Sequence, residues 1–344
     1  MNSAEAVAVV LFAAVTAYAV LGGADFGSGV WDALAGGSDK GARTRQLIDH
    51  AIGPVWEANH VWLIFVLVYL WTGYPTVFAA FAQAVDVPLW LVGLGVVIRG
   101  ASFAFRKYSP TWATARLAGA AFAAASLVTP FLFGMIVGAV ASGRIDPDNT
   151  GDTVWWSATS ILGGTLAVLT CAFLAAVFLT SNAARLELPL LAESFRRRSI
   201  GTSLLTGVVS AIGVVVLAQD APTLFDGLLR RGLPLLIVAA GAGVTTLFLL
   251  VRRRYRWARV AAVVAVGSVV LGWGVGSYPW LLVDHVTIAD GAGHPATMTA
   301  LLIASGIAAL LVLPSLFLLF YLVERNYVGV ESANPMRSAF KRKT

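Results

Sequence analysis

Four ionisable residues lie within or at the edge of long apolar runs of the sequence. They are Asp25, Glu57, His60 and Asp86. A charged side chain at the centre of a membrane helix costs about 2.5–3.5 kcal/mol on insertion scales, so such residues line a bundle interior or a wet cavity, where they commonly relay protons. We therefore take these four residues as the candidates for proton access.

Asp25 and Glu57 are predicted to lie at similar depth in a membrane. At 1.5 Å per residue, Asp25 is about 12 Å from the C-terminal end of its helix and Glu57 is about 9 Å from the N-terminal end of the next helix. These two helix ends are on the same side of the membrane. This shared depth favours proton handling. The alternative is structural: Asp25 caps a kink among its neighbouring glycines, and Glu57 begins a helix, because acidic residues are favoured in a first turn.

A polar string follows Trp56 and consists of Glu57, Asn59 and His60. Glu57 and His60 are three residues apart, so they share a helical face. Two roles are open for His60: it ligates a haem, or it is a hydrogen-bonded packing residue. We favour a hydrogen-bonded packing role for it, since a haem b cytochrome needs axial ligands that face each other from helices. Trp56 and Asn59 are candidates for structural or partner contacts.

A third apolar run contains Asp86 near its predicted middle, with Gln83 one turn earlier and Pro88 two residues later. Asp86 is either a further relay site or is satisfied by backbone groups that the proline frees. Arg99 lies near the end of the same run and is expected to snorkel towards the interface. A carboxylate or a lipid phosphate is its expected partner, rather than a reacting group.

The composition defines the class of protein that must position these residues. Hydrophobic residues make up 58% of the 344 residues and charged residues only 12%, against about 25% charged residues in soluble domains. The soluble, disordered and fibrous classes are therefore excluded. The net charge of +6 does not indicate nucleic acid, because the basic residues separate apolar runs instead of covering one face.

Little in the sequence indicates a cofactor bound by this chain. Cys171 is its single cysteine, so no intrachain disulfide can form. The sequence contains no GxxxxGK[ST], CxxC or HExxH motif, which argues against a nucleotide site or a metal centre held by this chain alone. We expect no catalytic residue, cofactor site or metal site here.

Nine apolar runs are long enough to cross about 30 Å of hydrocarbon. They predict an all-α polytopic membrane protein with a single integral membrane domain over residues 1–344. No basic segment precedes the first run, which is therefore expected to remain as a helix. The runs are Ala6–Ala33, Ile52–Trp71, Thr76–Phe103, Ala113–Ala141, Val154–Leu179, Ile200–Ala218, Leu233–Val251, Ala258–Gly276 and Thr297–Val323.

The basic residues predict the orientation of these runs. Every second connection between the runs, with its adjoining helix ends, lies on the same side of the membrane as the C-terminal tail. Together these segments hold 21 of the 24 Lys and Arg residues, and short cytoplasmic loops carry such an excess. The N-terminus is therefore predicted outside and the C-terminus in the cytoplasm. The longest predicted gaps are Thr180–Ser199 and, outside, Ser277–Ala296.

The segments Gly22–Trp31 and Ile52–Leu63 resemble the signature segments of subunit II of cytochrome bd-type quinol oxidases. The similarity continues through Ile98–Arg106 and from Ser277 to Ile288, so it extends over nearly the whole chain. The resemblance implies nine transmembrane helices, a bacterial cytoplasmic membrane location, and a complex that oxidises quinol and reduces O2 to water. Two b-type haems and one d-type haem are then expected in the partner, subunit I.

The resemblance also implies roles for this chain and its residues. A second subunit supports assembly and proton access, and its intramembrane carboxylates match Asp25 and Glu57. Further expected partners are a small accessory subunit, lipids and quinone. The sequence departs from the family pattern at Gly22-Gly23-Ala24, which lacks an acid of that pattern, at Glu57-Ala58 and at Ala104, and Asp86 lies outside the pattern. This distribution of acids leaves open a divergent or cyanide-insensitive branch.

Two other functions fit a polytopic chain with buried acids. A stand-alone proton-coupled transporter would use Asp25, Glu57 and Asp86 as coupling sites, although the sequence contains no convincing internal repeat of the kind found in many transporters. A purely structural assembly factor is the remaining alternative.

Overall fold

The computed structural model describes residues 2–36, 38–53, 56–108, 112–148 and 153–324. Twelve helices and one short hairpin form these parts of the chain. The helices are α1 (Ser3–Ala33), α2 (Ser38–Ile52), α3 (Trp56–Gly73), α4 (Pro75–Ala84), α5 (Asp86–Tyr108), α6 (Trp112–Ala141), α7 (Ala158–Arg185), α8 (Pro189–Asp220), α9 (Pro222–Gly227), α10 (Leu233–Val251), α11 (Tyr255–Ser277) and α12 (Pro295–Glu324). A short π-helix, Leu228–Gly232, joins α9 to α10.

Eight helices of the described residues are long and apolar enough to cross a membrane. This confirms a helical protein with many membrane spans. A ninth is counted if Gly41–Ala51 and Trp56–Gly73, which are bent by 57° relative to each other, form one broken span. The helix α3 does not qualify alone, because its 18 residues begin with the polar residues Glu57, Asn59 and His60.

The third predicted run is not one continuous helix. It is divided into α4 and α5 at Val85, which lies outside both helices. Pro75 begins α4 and Pro88 lies in the first turn of α5. Proline lacks a backbone N–H and is best tolerated in a first helical turn, so this pair favours two helix starts. At about 1.5 Å per residue, the 23 residues of α5 reach about 34 Å and can span a membrane without α4.

The two longest predicted gaps contain more regular structure than expected. Only residues 186–188 separate α7 from α8, so most of the Thr180–Ser199 gap is helical. The segment after α11 forms an antiparallel hairpin of β1 (Trp280–Leu282) and β2 (Val286–Thr287). The basic residues of the predicted cytoplasmic tail lie outside the described residues; they are Arg325, Arg337, Lys341, Arg342 and Lys343.

The helix α1 is central to the bundle and packs against α3, α6, α7 and α11. Glycines allow these close approaches. A Cβ added at Gly27 of α1 would lie 1.8 Å from the carbonyl oxygen of Cys171 in α7. The neighbouring helices α6 and α7 approach each other as closely, since a Cβ at Gly134 of α6 would lie 2.2 Å from the carbonyl oxygen of Gly163 in α7. Small residues let membrane helices pack backbone to backbone, and this packing encloses the middle of α1.

Candidate functional site: a buried polar cluster around Asp25

Asp25 lies in the interior of the bundle, where its side chain is 4% exposed. Asn59 of α3 donates from Nδ2 to the Oδ2 atom of Asp25 at 2.6 Å, and the same nitrogen lies 3.5 Å from the carbonyl oxygen of Leu21. The hydroxyl of Ser28 donates to the backbone carbonyl of Asp25. A buried carboxylate needs hydrogen-bond donors, and Asn59 of α3 supplies one to Asp25.

Arg99 of α5 is even more deeply buried, with 1% of its surface exposed. Its Nε donates to the hydroxyl of Ser126 in α6 at 3.3 Å, and its guanidinium carbon lies 4.8 Å from the ring centroid of Phe26 and 5.2 Å from that of Phe122. The Nη2 atom has no hydrogen-bond partner within the described residues. The expectation that Arg99 snorkels to the interface is therefore wrong, because two aromatic faces and a hydroxyl hold it inside.

His60 faces α1 and is partly buried. Its Nδ1 atom lies 3.5 Å from the hydroxyl of Tyr18. Its ring centroid lies 6.1 Å from that of Tyr18, 6.0 Å from that of Phe26 and 6.2 Å from that of Trp56. His60 is thus a packed residue in an aromatic environment, beside the helix that carries Asp25.

Trp56 and Glu57 begin α3 and differ in their surroundings. The ring of Trp56 lies 5.8 Å from that of Phe103, and a Cβ added at Gly100 would lie 3.3 Å from the Trp56 ring. Trp56 therefore connects α3 to α5. Glu57 is exposed on the surface of the chain, in the first turn of its helix. Trp56, Asn59 and His60 of α3 thus contact neighbouring helices, whereas Glu57 faces outwards.

Asp86 is separate from this cluster. It is the first residue of α5 and is exposed, and its Oδ1 atom accepts a hydrogen bond from the backbone N–H of Val87 at 2.6 Å. This is a position where acidic side chains stabilise a helix. Because α5 begins here, Asp86 lies at the end of a span and not near its middle.

An ion-pair network beyond the Asp25 cluster was not predicted. Asp32, 3% exposed, lies 3.0 Å from Nε of Arg45 in α2 and 2.6 Å from Nη1 of Arg106 in α5, and Arg106 also pairs with Asp49 of α2. The available signal was spacing: Asp32 and Arg106 each lie seven residues after a buried charged residue of the same helix. The network attaches α2 to α1 and α5.

These features define a helical membrane protein with an acid, an amide and a buried guanidinium enclosed between four helices. A family model for cytochrome bd terminal oxidase subunit II matches residues 3–323. The chain therefore belongs to the family of cytochrome bd terminal oxidase subunit II.

Two similar proteins agree with this assignment. Cytochrome bd ubiquinol oxidase subunit 2 of Bacillus subtilis (strain 168) is 29% identical over 163 residues, which are 44% of this chain and 45% of that relative. The match thus extends over somewhat less than half the length of the relative. A chain in the structure of bd oxidase from Geobacillus thermodenitrificans superposes with a TM-score of 0.76 at 24% identity, covering 94% of this chain and 98% of that one. The second match shows a shared fold.

Proposed function

We propose that this chain is the non-haem subunit II of a bd-type terminal oxidase, a complex that oxidises quinol, reduces O2 to water and generates a proton gradient. The observation that carries the proposal is the family match over residues 3–323. The same match disfavours the stand-alone transporter. In this proposal the chain supports assembly and proton access, while the redox chemistry takes place in its partner.

The proposed partner is subunit I, with two b-type haems and one d-type haem. The packing of the His60 ring against Tyr18, Phe26 and Trp56 supports a packing role for this residue. Within the described part of the chain, no group of three or more His, Cys, Asp or Glu residues could hold a metal ion. A small accessory subunit, lipids and quinone complete the proposed set of partners.

The proposed topology is nine spans in one integral membrane domain of a bacterial cytoplasmic membrane, with the N-terminus outside and the C-terminus in the cytoplasm. It is supported by the bent pair of α2 and α3 as a ninth span and by the distribution of 21 of the 24 basic residues. Single cysteines introduced at Asp148 and Arg254, in a Cys171→Ala background, test it. A membrane-impermeant maleimide added to intact cells should label the first and not the second.

The proposed proton-access residues are Asp25 and Glu57, with His60 and Asp86 as further candidates. Asp25 is buried and held by Asn59, two residues after Glu57 on α3. Glu57 is an exposed acid at the start of α3, and Asp25 is a buried acid of α1 that is hydrogen-bonded to α3. This pair suits transfer from a surface to an interior, since such intramembrane acids commonly relay protons.

Purification of the tagged chain from its native membrane tests the proposed complex. A haem-bearing larger chain should co-purify, and the reduced-minus-oxidised spectrum should contain bands of b-type and d-type haems. A colourless protein that remains solitary after crosslinking in the membrane before solubilisation would contradict the proposal and would favour the transporter.

A further inference from the structure

The starts of α8 and α11 meet at a cluster of arginines around one acid. Glu193 pairs with Arg196 at 2.7 Å, with Arg197 at 3.3 Å and with Arg253 at 3.5 Å. Arg197 and Arg253 contact the two different oxygens of the Glu193 carboxylate, and their side chains are 77% and 68% exposed. One negative charge therefore faces three positive charges, of which two are open to the surroundings.

The positive charge extends beyond this group. Residues 187–198 and 252–256 together contain seven Arg, two Glu and no Lys, and Arg252, Arg254 and Arg256 are exposed. An excess of cytoplasmic charge could be supplied by lysine or arginine alike. The arginines of this cluster suit a phosphate group, because the planar fork of N–H donors of arginine matches the oxygens of a phosphate.

A pocket of about 360 Å3 lies beside these arginines. Its wall combines two acids, Glu187 and Glu193, and Arg253 with the apolar or aromatic side chains of Leu188, Pro189 and Tyr255. The further positive charge of Arg196, Arg197, Arg252 and Arg254 lies outside the wall. An apolar wall next to exposed cations suits an amphiphile better than a free ion.

The neighbouring helix surfaces are apolar and face away from the chain. The helices α8 and α10 are the membrane spans beside the pocket, and only small parts of their most apolar stretches are buried. Leu190 is 79% exposed and Trp257 is 62% exposed at the edge of the arginine cluster. Tryptophan is enriched at the level of lipid headgroups, which indicates that the cluster lies where headgroups meet acyl chains.

We infer that this surface binds an anionic phospholipid of the adjacent leaflet. The phosphate lies between Arg197 and Arg253, the glycerol region lies against Leu188, Pro189 and Tyr255, and the acyl chains follow the exposed faces of α8 and α10. Basic pockets between membrane helices bind anionic headgroups in this way. The net positive charge of the cluster selects an anionic lipid over a zwitterionic one.

Photocrosslinking of the purified complex in nanodiscs tests this inference. The nanodiscs contain phosphatidylcholine with a few per cent of a phosphatidylglycerol that carries a diazirine near its headgroup, and labelled peptides are identified by mass spectrometry. We expect labelling concentrated at residues 187–198 and 252–257. The same diazirine on phosphatidylcholine should label these residues several-fold less.

The double variant Arg197→Gln, Arg253→Gln should reduce this labelling by about 30-fold, since each arginine near an anionic surface contributes about 1 kcal/mol. Arg196 remains paired with Glu193 in this variant, at 2.7 Å in the parent protein, so the fold should be retained. The charge-matched control Arg230→Gln, Arg231→Gln, at the other end of α10, should leave labelling at these loops unchanged.

Three results would overturn the inference. They are equal labelling by both lipids, labelling that the double variant retains, and no labelling of either loop in the intact complex. A redox activity of the complex is not needed for any of these measurements.

Discussion

The side-chain amide of Asn59 donates a 2.6 Å hydrogen bond to the carboxylate of Asp25, and this bond joins α3 to the central helix α1 inside the bundle. Asn59 is 3% exposed and Asp25 is 4% exposed. The pair is therefore shielded from water, and Asn59 supplies a hydrogen-bond donor to the buried carboxylate. This geometry makes Asn59 a positioning residue for the acid proposed to take part in proton access.

Replacing Asn59 by leucine removes the donor and leaves the carboxyl group of Asp25 without this partner. We expect Asn59→Leu to lower the free energy of unfolding by about 1–3 kcal/mol, the usual cost of an unsatisfied buried polar group. Thermal unfolding of the purified complex measures the effect. Gln83→Leu, at an exposed position of α4, is the matched control, and equal effects of the two substitutions would contradict the interpretation.

The sequence predicted the Asp25 cluster only in part. The position of Asp25 inside a long apolar helix and the polar string after Trp56 were predicted from apolar length and helical spacing alone. The burial of Arg99 was not predicted. It depends on Phe26 of α1 and on Phe122 and Ser126 of α6, which are far from Arg99 in the sequence and adjacent to it in the fold. Hydropathy locates a charge along a helix axis but does not determine which helices surround it.

The fold shows the same division between local and long-range information. Most predicted spans correspond to long apolar helices, because length and hydropathy are local properties. The break at Val85 and the bend between α2 and α3 were missed, since mean hydropathy over a long window averages over a proline or a short polar string. The Asp32 network was missed because α2 is not apolar, and a search for apolar runs passes over the ion pairs of Asp32 with Arg45 and Arg106.

Gly27 is predicted to be intolerant of any side chain. The Cβ of Gly27→Ala would lie 1.8 Å from the backbone carbonyl oxygen of Cys171, so α1 and α7 would have to separate, and we expect a loss of about 1–3 kcal/mol or more. Gly241→Ala in α10 is the control, because nothing lies within 4 Å of its added Cβ. It should be neutral or stabilise the protein by up to about 1 kcal/mol. Thermal unfolding distinguishes the two, and similar unfolding temperatures would refute this packing.

Asp32→Asn should loosen α2 from the rest of the protein. Arg45 and Arg106 would lose their shared carboxylate, at 3.0 Å and 2.6 Å, while Arg106 would retain Asp49. We expect a loss of up to about 3 kcal/mol, the low end of the cost of breaking a buried pair. Hydrogen exchange of residues 41–51 should accelerate.

The control for this change is Asp226→Asn, which alters an exposed acid of α9. It should leave exchange in residues 41–51 at the parent rate. Unchanged exchange in Asp32→Asn would show that the apolar contacts of α2, which include the buried Leu47 and Ile48, hold it without the ion pairs.

The proposed roles of Asp25 and Glu57 predict a loss of turnover without loss of haem. Asp25→Asn and Glu57→Gln keep the size of each side chain and remove its titratable proton. Each should slow quinol-dependent oxygen consumption by about 10²-fold, the low end of what a positioned proton-transfer group contributes. The haem spectrum of the complex should remain that of the parent, because neither residue is proposed to bind haem.

The two substitutions differ in what else they disturb. Glu57 is exposed and begins α3, so Glu57→Gln should affect stability little, within about 0.5 kcal/mol, unless the partner subunit covers it. Asp25→Asn changes the acceptor of the Asn59 hydrogen bond and needs the haem content as a check on assembly. Asp226→Asn is the common control for turnover. Parent-like oxygen consumption in both variants would refute proton access through these residues, whereas loss of all haem would assign them a structural role in assembly.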